Sequence, residues 1–163
     1  MKNLFLCIIF LFTISHLQAQ QKPNFTGTFT LDKAKTDFDD LPEYVLPISF
    51  KIVQSGNNLT ITRTTVTDQG VERNFTETII LGGDSVKSVI PGGLHRTSIA
   101  AWNNDQMTFT IKSDSRSADH TAGLKLTEVW SLTDEGNTLE VDRDVLQADG
   151  GAYQLKAFYE KNN

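Results

Sequence analysis

Residues 59–81 read Leu59-Thr60-Ile61-Thr62-Arg63-Thr64-Thr65-Val66-Thr67, then Asp68-Gln69-Gly70, then Val71-Glu72-Arg73-Asn74-Phe75-Thr76-Glu77-Thr78-Ile79-Ile80-Leu81. This stretch decides the fold. Leu59, Ile61, Arg63 and Thr65 recur at every second position, as do Val71, Arg73, Phe75, Glu77 and Ile79. Successive side chains of a strand point to opposite faces, so each set shares one face of one strand. Threonine between apolar positions suits a strand with one wet face and suits a helix interior poorly. Asp68-Gln69-Gly70 offers residues that tolerate the positive φ of a tight turn. The stretch predicts a β-hairpin.

The same punctuation repeats on either side of it. Ser55-Gly56-Asn57-Asn58, Gly82-Gly83-Asp84, Pro91-Gly92-Gly93, Asn103-Asn104-Asp105, Asp134-Glu135-Gly136-Asn137 and Asp149-Gly150-Gly151 all read as turns. Between them the spacing predicts ten strands, over 25–31, 47–54, 59–67, 71–81, 84–90, 93–102, 105–113, 123–133, 138–147 and 152–160. Pro23, Pro42, Pro47 and Pro91 all fall at or outside strand ends, as a sheet requires. Two connections are long: 32–47, with a helical turn expected near 37–44, and the polar stretch 113–123. Strands joined by short turns pair with their neighbours, and so many meandering strands curl or close. Closure also removes edges that would invite aggregation. The expected fold is therefore all-β, an antiparallel up-and-down β-barrel of about eight to ten strands, with a two-sheet β-sandwich as the alternative.

The N-terminus carries a different pattern. Lys2 precedes an apolar run from Leu4 to Phe12, extended to Ile14, and polar Ser15, His16 and Gln18 lead to the small residue Ala19. That order is the one found in secretory signal peptides. A membrane span needs about 20 apolar residues, more than this run holds. The expectation is a signal peptide over 1–19 and a single β-barrel domain over 20–163, exported to the periplasm or secreted, with no integral span left. Cys7, the one cysteine, would leave with the signal, excluding disulfides, Cys-zinc sites and thiol catalysis. The 20 Asp and Glu exceed the 15 Lys and Arg of the 163-residue chain, which argues against nucleic acid or anionic membrane surfaces as partners.

Two further stretches carry a family likeness. Phe25-Thr26-Gly27-Thr28-Phe29-Thr30-Leu31-Asp32 resembles the first strand of calycins, the group of lipocalins and fatty-acid-binding proteins, with Phe29 in place of a common tryptophan. Lys33-Ala34-Lys35-Thr36-Asp37-Phe38 and Trp130-Ser131-Leu132-Thr133-Asp134-Glu135-Gly136-Asn137-Thr138-Leu139 are similar to segments of secreted bacterial lipocalin-like proteins. Phe158-Tyr159-Glu160-Lys161 resembles the closing strand of fatty-acid-binding proteins. The resemblance implies a small-ligand barrel. Their ligand-carboxylate arginine would fall on Ala157, so that function does not carry over.

Charge interrupts the apolar faces. Besides Arg63, Arg73 and Glu77, the set Leu94, Arg96, Ser98, Ala100, Trp102 carries one charge, as do Leu124, Leu126, Glu128, Trp130, Leu132 and Leu139, Val141, Arg143, Val145. An inward charge costs several kcal/mol unless it is matched or hydrated. Two readings stand: Arg63, Arg73, Arg96 and Arg143 clamp an anionic ligand through their bidentate forks, or Glu77 and Glu128 neutralise them as salt bridges. The aromatic set Phe29, Phe50, Phe75, Trp102, Phe109, Trp130 and Tyr153 is either core or ligand wall, and Trp102 ends a strand where a cavity mouth would lie. The ligand-binding candidates are therefore Arg63, Arg73, Arg96, Trp102, Glu128, Trp130 and Arg143. No metal-ligand spacing involves His95 or His120, and Ser117, Asp119 and His120 lie in one loop unsuited to a triad. No cofactor, metal site or catalytic residue is expected. The sequence therefore points to a non-enzymatic barrel binding a small, partly apolar ligand, anionic if the arginines converge. The alternative is a filled structural or interaction module of the cell envelope, and a barrel enzyme comes last. A cavity of about 300 Å³ or more would favour the first.

Overall fold

The structure, a computed structural model, describes residues 22–119 and 123–162. The expected signal segment lies outside the described residues. Ten strands form: β1 (Gly27–Leu31), β2 (Ser49–Ser55), β3 (Asn58–Val66), β4 (Glu72–Ile80), β5 (Val86–Ile90), β6 (Leu94–Trp102), β7 (Phe109–Arg116), β8 (Gly123–Thr133), β9 (Thr138–Gln147) and β10 (Ala152–Lys161). All ten are the strands read from the turns, with shifts at their ends. The largest is in β7, which begins at Phe109 rather than 105. Asp105 accepts backbone N–H bonds from Met107 and Thr108, and Asn103 N–H donates to the Thr108 carbonyl, so these residues stay in the turn. The helical turn expected near 37–44 is a single 3-10 turn at Glu43–Val45.

The strands make one antiparallel sheet in the order β4-β3-β2-β1-β10-β9-β8-β7-β6-β5. That order is a meander whose first and last strands meet across β1 and β10, and it replaces the sandwich alternative. The barrel is nearly closed. Its seam lies between β4 and β5, and just past the end of β4 a bridge from Leu81 to Ala100 on β6 and the Gly82 N–H donating to the Ala100 carbonyl at 2.7 Å close it. Gly56 takes φ 60° in the tight turn between the paired Ser55 and Asn58, a conformation only glycine adopts cheaply.

Strand direction sorts the barrel into two ends. The turns after β2, β4, β6 and β8 gather at one end, where Phe25, Phe29, Leu59, Ile79, Leu81, Ala100 and Phe109 are all buried. Phe25 packs edge-on against Phe109 at 4.7 Å and near Trp102 at 6.3 Å, closing that end with aromatic rings. The remaining connections lie at the other end. There the inward positions Thr65, Phe75, Leu94, Leu124 and Tyr153 are only partly buried, so this is the more open end. The connection after β1 nevertheless packs over part of it, with Leu46 wholly buried and Phe38 and Val45 against the core. No helix among the described residues is long and apolar enough to cross a membrane.

Candidate functional site

Alternation carries the charges inward where the sequence placed them. Arg63 on β3, Glu77 on β4, Arg96 on β6 and Glu128 on β8 are all buried. The Arg143 side chain on β9 is 10% exposed. They meet in the middle of the barrel. Arg63 donates from Nη1 and Nη2 to the two oxygens of Glu128 at 3.1 and 2.8 Å, and from Nε to Glu77 Oε1 at 3.3 Å. Arg96 Nη2 lies 3.6 Å from the same Glu77 oxygen. Arg143 Nε comes within 3.2 Å of Glu128 Oε1, close enough for ion pairing but not aligned to donate, and its Nη1 donates to the Val45 carbonyl at 2.8 Å. Three guanidiniums thus face two carboxylates, and the cluster keeps one net positive charge.

Aromatic and hydroxyl side chains surround these charges. The Arg63 guanidinium lies 5.2 Å from the Phe50 ring and 5.3 Å from the Trp130 ring, within cation–π reach of both. Trp130 stacks on Phe109 at 5.5 Å. Ser98 and Ser113 lie opposite one another on β6 and β7. Arg96 donates to them at 3.1 and 2.7 Å, and the Ser98 hydroxyl donates to Glu77 Oε2 at 3.2 Å. These contacts explain how an apolar barrel accommodates five charges: each is paired, hydrogen-bonded or both.

The environment tunes each group. Burial alone would raise the Glu128 pKa, but the charges of Arg63 and Arg143 outweigh it and hold the carboxyl down at about 2. Burial pulls the Arg63 pKa down, yet Glu128 and Glu77 leave it raised overall. Arg96 differs: burial first, then the positive charge of Arg63, lower its pKa despite Glu77. Burial raises the pKa of the Tyr159 phenol.

Of the sequence-derived candidates, the structure brings Arg63, Arg96, Glu128, Trp130 and Arg143 together. Within this group the salt-bridge reading of Glu77 and Glu128 describes the observed pairing. Arg73 is a correction: it is exposed and contributes nothing to the cluster. The reason is its place on β4, an edge strand that pairs only with β3 over this stretch, so no neighbouring strand covers it. The net positive charge is accordingly smaller than four converging arginines would give. Trp102 is partly buried at the closed end, against Phe25 and Phe109 and beneath the Lys22 ammonium at 4.9 Å, not at a cavity mouth. In the aromatic set, Phe29, Phe50, Phe109 and Trp130 are wholly buried core, whereas Phe75 and Tyr153 sit part-exposed at the open end. Ser98 stands on the Arg96 face in the sequence without a role there, and Ser113 and the Val45 carbonyl were not foreseen. Inward phase marks the two serines, but a hydroxyl in a threonine-rich strand reads as solvent-facing. Nothing local marks a backbone carbonyl.

The rim of the open end also holds a pocket of about 300 Å³, lined by Ser115, Leu124, Leu146 and Gln147 together with the charged Asp114, Arg116 and Lys125. His95 is exposed, His120 lies outside the described residues, and no group of acidic, histidine or cysteine side chains among the described residues has metal-binding geometry.

No protein-family model matches the chain, and no curated protein matches it in sequence. Among solved structures, wild-type fluorescent protein UnaG aligns with a TM-score of 0.51 at 13% identity, covering 85% of this chain and 97% of UnaG. Two mutants of UnaG align at TM-scores of 0.48 and 0.44, each at 13% identity, covering 84% and 71% of this chain and 95% and 71% of theirs. At such identity the wild-type likeness speaks to the fold alone. The chain folds as a nearly closed ten-stranded antiparallel barrel, similar in fold to that of UnaG.

Proposed function

We propose that this protein is an exported, non-catalytic barrel that binds a small, partly apolar, anionic ligand through its open end. One observation carries the reading: three guanidiniums against two carboxylates leave a positive interior in a chain whose net charge is −5. A cation in a low-dielectric site attracts an anion far more strongly than it would in water. The half-buried Phe75, Leu94, Leu124 and Tyr153 give an apolar tail something to cover. The pocket of about 300 Å³ beside Leu124 is at the lower limit of small-ligand sites. Export rests on the pattern of residues 1–19.

A second reading, the filled interaction module, draws on the aromatic plug of Phe25, Phe29, Phe109 and Trp130, which occupies the closed half of the barrel. Native mass spectrometry of protein purified from its own host separates the two. A stoichiometric co-purifying anion supports the carrier. A mass equal to the bare chain at every gentle condition supports the module.

A further inference from the structure

The buried side-chain polar atoms that lack a hydrogen-bond partner among the described residues share one chemical property. They are the hydroxyls of Ser88, Ser115 and Tyr159, the indole nitrogens of Trp102 and Trp130, and Nε of Arg143. Every one of them can donate a hydrogen bond. Three of them, the two indole nitrogens and Arg143 Nε, can only donate, and an unmade buried hydrogen bond is costly.

Two of these hydroxyls belong to one row. Ser88 on β5 and Ser115 on β7 each stand directly opposite Arg96 on β6, so all three side chains point inward side by side. Ser115 is 1% exposed and Arg96 6%. Arg96 leans toward the next row, where Ser98 and Ser113 take its Nε and Nη2, and its Nη1 makes no hydrogen bond among the described residues. The one carboxylate within ion-pair distance of Arg96, that of Glu77, is shared with Arg63. This cation has too little counter-charge of its own; burial first, and then the positive charge of Arg63, lower its pKa.

We propose that Ser88, Arg96 and Ser115 form the head-group subsite for an organic oxyanion, one with at least two acceptor oxygens and no donor of its own, on an otherwise apolar ligand. The proposal rests on the ligand-binding reading above and adds the wall and the chemistry of the head group. The backbones carrying the two serines are two strand spacings apart, roughly 9.5 Å, and inward side chains converge on the concave face. An oxyanion seated over the Arg96 stem would accept from one hydroxyl through each of two oxygens. The tail then meets Leu124, which pairs with Ser115, Leu94 on the same face as Arg96, and Phe75, whose ring centroid is 5.9 Å from the Arg96 guanidinium. This wall is not the one on which the fatty-acid-binding resemblance would place a carboxylate-binding arginine, since position 157 on β10 holds Ala157.

The test uses anilinonaphthalenesulfonate and its parent phenylnaphthylamine, which share an aromatic skeleton and differ by the sulfonate. The full chain is titrated with each, alongside the Ser88→Ala/Ser115→Ala double variant and single Ser115→Ala. Each alanine removes an unpartnered hydroxyl, so melting temperatures should hold, and the single variant covers the case in which the double variant unfolds. The expected result is sulfonate binding at least tenfold tighter than the parent in the wild type, with most of that preference lost in the double variant and part in the single one. Affinity for phenylnaphthylamine should not change. If both probes bind wild type but the preference survives the serine substitutions, or is absent from the start, the subsite is wrong and the carrier reading stands. If neither probe binds, the carrier reading falls and takes the subsite with it.

Discussion

Arg63 and Glu128 stand on opposite walls of the barrel, β3 and β8, and are joined across it by two hydrogen bonds of 3.1 and 2.8 Å. The pair is 65 residues apart in sequence and wholly interior. It ties the two halves of the meander together, and Glu77 and Arg143 extend it to β4 and β9.

Removing one side of this pair should be expensive. Glu128→Gln leaves Arg63 and Arg143 buried beside a neutral amide, and Arg63→Met leaves Glu128 without its bidentate partner. Each should lower the stability measured by urea unfolding by about 3–5 kcal/mol. A loss below about 1 kcal/mol for both would mean that the pair is far better hydrated than its burial indicates.

The same carboxylate sets an acid limit. The Glu128 pKa drops from an ordinary 4.5 to about 2 on folding. A depressed folded pKa means the unfolded chain binds the proton first, so Glu128's contribution is complete above about 4.5 and disappears as pH falls toward 2. Unfolding free energy measured from pH 6 down to about pH 2 should therefore fall more steeply in the wild type than in Glu128→Gln. Parallel curves would contradict this origin for the acid sensitivity.

Arg73 offers the contrasting case. Exposed on an edge strand, Arg73→Met should change stability by less than about 0.5 kcal/mol and leave ligand affinity as it was. A large effect on binding would return it to the site.

The closed end depends on its rings. Phe25 is 0% exposed and touches Phe109 and Trp102, so Phe25→Ala should cost about 3–5 kcal/mol in thermal or urea unfolding.

Much of this fold is legible in the sequence because turns are local chemistry: Gly, Asn, Asp and Pro mark the strand ends wherever they cluster. Inward phase is equally local, and it places Arg63, Glu77, Arg96, Glu128 and Arg143 on the buried faces. Partnership is not local. That Arg63 meets Glu128 depends on closure of the barrel, and that Arg73 meets solvent depends on where the seam falls, neither of which is written in the period of β3 or β4. The β7 start fails for a third reason: Asp105 and Asn103 capture backbone groups that an extended strand would have used.

The most direct measurement is a calorimetric titration of the purified protein with a long-chain fatty acid and, in parallel, its neutral methyl ester. The positive interior predicts saturable one-to-one binding of the acid and at least tenfold weaker binding of the ester. Equal affinity for both, or no saturable binding of either, would contradict it.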